Sequence, residues 1–126
     1  MMKKIILISF AALSLMLKAQ SVHITNTLSE KLAVADNNSL LKVNLIFKNQ
    51  VNFQQMNQQF KENNIPLDVR AKKVMKTAMQ LAESEQRQIV NLLSQNASKV
   101  KSIKQFWLIN MMTVEIEKSL LTQFLN

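Results

Sequence analysis

The side chains able to do chemistry are few and scattered. His23 is the only imidazole. It lies in a polar stretch, Ser21 to Asn26, that reads as frayed, and without a second histidine no Ser–His–Asp arrangement can be assembled. Glu83 and Glu85 stand two apart in a helical pattern, so they do not share a face. Glu115 and Glu117 fall on one face of a strand pattern, but no acid–base partner stands beside them, and they read as solvated rim charge. With no cysteine, disulfides and thiolate metal sites are excluded. With no glycine, so are the loops that cradle phosphates and dinucleotides. Asn96-Ala97-Ser98 matches the glycosylation pattern, a weak signal in any chain. The expectation is therefore a chain with no catalytic residue, no cofactor and no metal, a module that works through its surface.

The elements that would build that surface have to come from 126 residues, enough for one small domain with a modest core. The first residues are set apart. Lys3 and Lys4 precede an apolar run from Ile5 to Leu17, and Lys18-Ala19-Gln20 follows. The run is too short to span a bilayer comfortably and has a small residue at the expected cleavage point, after Ala19. This predicts a signal peptide over residues 1–19, a secreted or periplasmic product, and no stable membrane insertion once the signal is removed. Without Lys3, Lys4 and Lys18 the formal charge falls from +8 to +5. No dense basic cluster carries interleaved aromatics, which argues against a nucleic-acid partner.

Along the remaining chain, Leu28, Leu32 and Ala35 predict a short helix over Thr27 to Ala35, within a linker at 20–40. Asp36-Asn37-Asn38-Ser39 is a turn cluster. Leu41, Val43, Leu45 and Phe47 alternate with Lys42, Asn44, Ile46 and Lys48, the pattern of a strand over Leu41 to Lys48. Asn52 is suited to cap a helix from Phe53 to about Asn63, with Phe53, Met56 and Phe60 on one stripe. Pro66 breaks it. A longer helix then starts near Leu67 or Asp68. Its stripe is Val74, Ala78, Leu81, Ile89 and Leu92, broadened by Met75, Ala82 and Leu93, and Asn96-Ala97-Ser98 ends it.

The run from Ile103 to Ile116 holds the only Trp and reads as two short strands around a turn at Asn110. If the turn keeps the alternation in phase, one face offers Phe106, Leu108, Met112, Val114 and Ile116. The other offers Ile103, Trp107, Ile109 and Met111, with Gln105, Thr113 and Glu115 among them. This second, mixed set suits a partner interface. Two arrangements are open: helices on one face of the sheet with the other bare, or helices on both. Lys118 to Asn126, with Leu120, Leu121, Phe124 and Leu125, starts a last helix.

The predicted fold class is α+β, βαββα, with an antiparallel sheet and helices on one face. It is the split βαβ order of ferredoxin-like domains with the fourth strand missing. The first two strands would be parallel, joined by a helical crossover, and the third would lie between them. The domain is placed at 41–126.

The run Leu41-Lys42-Val43-Asn44-Leu45-Ile46-Phe47-Lys48-Asn49-Gln50 followed by a helix, then Gln105-Phe106-Trp107-Leu108-Ile109-Asn110 and Thr113-Val114-Glu115, resembles the N-terminal propeptide of secreted bacterial subtilisin-like serine proteases. The resemblance covers about Thr27 to Asn126. It implies a ferredoxin-like fold that packs its open sheet face on the protease, acting as intramolecular folding chaperone and inhibitor. It implies a subtilisin-like protease domain as partner, in cis within a precursor or in trans. The partner-binding residues would be Gln105, Trp107, Ile109, Met111, Thr113 and Glu115. Such propeptides also carry a fourth strand and a tail that fills the protease cleft. The chain is thus expected to be truncated before the catalytic domain, the parent being a serine endopeptidase. The alternatives are a small secreted inhibitor or protein-binding module that acts alone, and an envelope- or membrane-surface protein using the helix with Lys72, Lys73 and Lys76.

Overall fold

The computed structural model describes residues 22–126; the expected signal peptide lies outside them. α1 (Asn26–Val34) begins at Thr25, whose Oγ1 accepts the Leu28 N–H at 3.3 Å. Its start is therefore fixed by a capping hydroxyl one turn ahead of the apolar pattern. β1 spans Leu40–Ile46. α2 (Phe53–Glu62) is capped as expected by Asn52, which accepts the Gln55 N–H at 2.9 Å. At its far end Asn64 turns to φ 50°. The Ile65 N–H then reaches the Phe60 carbonyl at 2.9 Å, and the Asn64 N–H reaches that of Lys61 at 3.2 Å. This two-bond lock is usually built around glycine; the chain has none, and asparagine is the residue that best tolerates the left-handed region in its place. Pro66 follows as N-cap of α3, which runs over Leu67–Gln95, the span expected from the proline and the Asn-Ala-Ser stop.

A single 3₁₀ turn (Ala97–Lys99) leads into β2 (Val100–Phe106); β3 (Met111–Glu117) and α4 (Lys118–Leu125) complete the chain. The strands form one antiparallel sheet in the order β1-β3-β2. The last strand is in the middle, as a helical crossover followed by a hairpin requires. Leu41, Val43 and Leu45 stand opposite Ile116, Val114 and Met112, and Val114 and Met112 stand in turn opposite Ile103 and Gln105. The protein is α+β, a three-stranded antiparallel sheet with four helices over the described residues.

One face of the sheet carries the core. Met112, Val114 and Ile116 are fully enclosed with Val43, with Leu93 of α3 and with Leu120 and Leu121 of α4. Burying each such side chain contributes about 1.5–3 kcal/mol, so this set dominates stability. Leu28 and Leu32 of α1 also pack here. α1 is thus docked on the domain. It is tied there by the Lys118 ammonium, which donates to the Ala35 carbonyl at 2.7 Å. α2 and α3 make a second contact through Phe60, Ala78 and Ala82, all buried. The buried line on α3 runs through Ala78, Ala82, Gln86 and Leu93. Met75 and Leu92, expected on the stripe, are exposed, because the sheet and α2 together cover a narrower arc than the apolar pattern offers.

The hairpin differs from the expected one. β2 starts three residues earlier, at Val100, and stops at Phe106; residues 107–110 form the turn. Phe106 pairs with Met111, so the four turn residues put these two on one face. The alternation expected through Leu108 and Ile109 does not continue. A bulge at Lys101, between Val100 and Ser102, shifts the register once more.

Candidate functional site

The second face of the sheet has no helix on it among the described residues. Its rows can be read from the register. Lys42, Glu115 and Ser102 form one; Asn44, Thr113 and Lys104 the next; Ile46, Met111 and Phe106 the last, beside the turn. Lys42, Asn44, Lys104 and Phe106 are exposed, and Ile46 is 70% exposed. Trp107, Leu108 and Ile109 continue the apolar row around the turn, all three exposed. The face is therefore graded, polar at one end and apolar at the other. At the polar end the Lys101 ammonium lies 3.0 Å from Glu115 Oε1, a cross-strand pair made possible by the bulge. With the Lys101 side chain mostly in water, it is worth no more than about 1 kcal/mol. The Thr113 hydroxyl donates to Asn44 Oδ1 at 2.8 Å.

The turn that ends this face is held from below by a knot of amides. Asn110 is 2% exposed and Gln86 of α3 is 1% exposed. The Gln86 amide donates to Asn110 Oδ1 and to the Phe106 carbonyl, both at 2.9 Å. Asn110 Nδ2 donates to the Asn49 carbonyl at 3.0 Å and to Glu85 Oε2 at 2.8 Å. The second Glu85 oxygen accepts from the Asn49 side chain. Gln50 grips the Asn110 backbone from both sides: its Oε1 accepts the Asn110 N–H at 2.9 Å and its Nε2 donates to the Asn110 carbonyl at 3.0 Å. The same carbonyl takes the Phe47 N–H at 3.0 Å. No buried side-chain polar atom among the described residues lacks a partner. A fully satisfied network of this kind specifies one geometry, because leaving any member unpaired costs about 1–3 kcal/mol. The apolar turn is thus exposed yet fixed.

Of the six residues expected at the interface, Met111, Thr113 and Glu115 lie on the bare face, and Trp107 and Ile109 lie in the turn beside it. Gln105 does not. It stands opposite Met112 on the core-facing side, and its amide donates to Gln86 Oε1 at 3.1 Å. The cause is the phase of the four-residue turn, which pairs odd positions of one strand with even positions of the other. Ile46, Phe106, Leu108 and the amide knot stand outside the six residues expected from the sequence. A signal for the knot was present. The α3 stripe skips the turn between Leu81 and Ile89, where Gln86 holds the buried phase.

Among the described residues no three His, Cys, Asp or Glu side chains gather as a metal site, and no helix is long and apolar enough to cross a membrane. No protein-family model matches the chain, and neither does any curated protein or solved structure.

Proposed function

We propose that the chain is the propeptide domain of a secreted bacterial subtilisin-like serine protease, with a ferredoxin-like fold, and that it templates and restrains the protease by packing its bare sheet face on it. The observation that carries this reading is the graded face with its fixed apolar turn, where Ile46, Phe106, Trp107, Leu108 and Ile109 are all exposed. The two segments that carry the resemblance also meet in space. Gln50, which closes the Lys-x-Gln end of the first, holds Asn110, which closes the Phe-Trp-x-x-Asn of the second. Proteases of this kind persist behind a high kinetic barrier. A surface complementary to the native-like catalytic domain binds the transition state for folding and lowers that barrier, and the same contact restrains the folded enzyme.

The test is refolding. A denatured subtilisin-type catalytic domain from the same source is diluted into buffer with and without the protein, and returning peptidase activity is followed. Activity is expected to return faster and to a higher yield with the protein present. Identical recovery in the two arms contradicts the reading.

A further inference from the structure

We infer that residues 106–109, with Ile46 and Met111, are the anchor of the docking face, seating in an apolar hollow on a protein partner whose rim is acidic. This rests on the proposed docking function and names the chemistry of the surface that meets it. Three observations lead there. Ile46, Met111 and Phe106 form one cross-strand row, and Trp107, Leu108 and Ile109 extend it, with Leu108 53% and Ile109 59% exposed. The patch is thus contiguous rather than scattered. It is also rigid, since the turn hangs from the Asn110–Gln86–Gln50 knot, and a preordered anchor loses little entropy on binding. Aromatic side chains at the centre of a patch are where binding energy concentrates.

Charge sets the rim. Glu115 is engaged by Lys101, and both oxygens of Glu85 are taken by Asn49 and Asn110. Lys42 and Lys104, both on the bare face, make no ion pair among the described residues. Glu117, also without a cation among the described residues, stands at the far polar end of the face, whereas Lys104 lies in the row next to the patch. The free charge nearest the patch on this face is therefore positive, and complementarity asks for carboxylates opposite. A second copy of the chain would present the same lysines rather than the carboxylates this face calls for. A bilayer would meet the tip alone and leave the polar rows of Asn44, Thr113 and Lys104, in the same plane, without partners.

Trp107 is the only tryptophan, so protein labelled with 5-fluorotryptophan gives one fluorine resonance, from the anchor itself. The probe is the active-site-blocked catalytic domain of a subtilisin-type protease from the same source, with binding measured in parallel by sedimentation. The resonance is expected to shift on complex formation. Leu108→Ser and Lys104→Glu, both at exposed positions, should each raise Kd at least about tenfold, and Lys73→Ala on α3 should leave it unchanged. A complex that forms with the resonance unmoved and both variants binding normally overturns the anchor but leaves docking standing; absence of any complex overturns both. A shift produced by anionic phospholipid vesicles and not by the protease overturns the inference in favour of a membrane surface. A shift that depends only on the protein's own concentration overturns it in favour of self-association.

Discussion

Asn110→Ala is expected to destabilise the protein by about 2–4 kcal/mol, far more than a polar residue in a hairpin turn usually costs. The substitution removes three side-chain hydrogen bonds, one of them to the Glu85 carboxylate at 2.8 Å. Bonds to charged groups are worth about 1.5–3 kcal/mol and neutral ones about 0.5–1.5 kcal/mol. It also leaves the enclosed Gln86 amide with fewer acceptors. For a domain of this size the loss corresponds to a fall in Tm of the order of 10–20 °C. Urea unfolding should show a lower midpoint at unchanged slope. A double-mutant cycle with Gln86→Ala should give a coupling of about 1–3 kcal/mol, since the two side chains bond directly. A loss under about 1 kcal/mol would mean that the knot does not hold the turn. The docking surface would then be a mobile loop rather than a fixed one.

The second large effect separates two adjacent methionines. Met112 is fully enclosed between the sheet and the helices, and Met111 faces outward in the row with Ile46 and Phe106. Met112→Ala should cost about 2–5 kcal/mol, the lost transfer energy plus the cavity left behind. Met111→Ala should change stability by less than about 1 kcal/mol while weakening attachment to the partner. The contrast reads the orientation of β3 directly, because neighbouring residues of a strand point to opposite faces. Equal costs, or the reverse order, would place the bare face on the wrong side.

The sequence told most where the signal was local. Pro66 and the Asn96-Ala97-Ser98 stop bracket α3, and the Asn52 cap starts α2, because caps and breakers act within a turn of themselves. The alternation of β1 was legible, though the strand ends at Ile46 rather than Lys48, as the Phe47 N–H turns to the Asn110 carbonyl. Its register with β3 was not, and neither was the hairpin phase. Trp107, Leu108 and Ile109 look like strand by type. What ends β2 before them is Asn110, held by Gln50 and Gln86 from distant parts of the chain. A contact across 60 positions leaves no periodicity to read. Gln105 reads as an interface residue for the same reason: one turn residue more or fewer exchanges every side chain of a strand between faces. The alternation puts Met111, Thr113 and Glu115 of β3 on the bare face and Gln105 of β2 on the other.

Under the proposed function, the bare face is the one a protease domain covers. The chain has no cysteine, so a single reporter thiol can be placed at will. Asn44→Cys sits in the middle row of the bare face, and Lys73→Cys sits at an exposed position of α3. Alkylation of each thiol is timed with and without the active-site-blocked catalytic domain. The account predicts that both react freely alone, and that the complex shields the thiol at 44 and leaves the one at 73 as reactive as before. Equal reactivity at 44 in both states, or shielding at 73 instead, would contradict it.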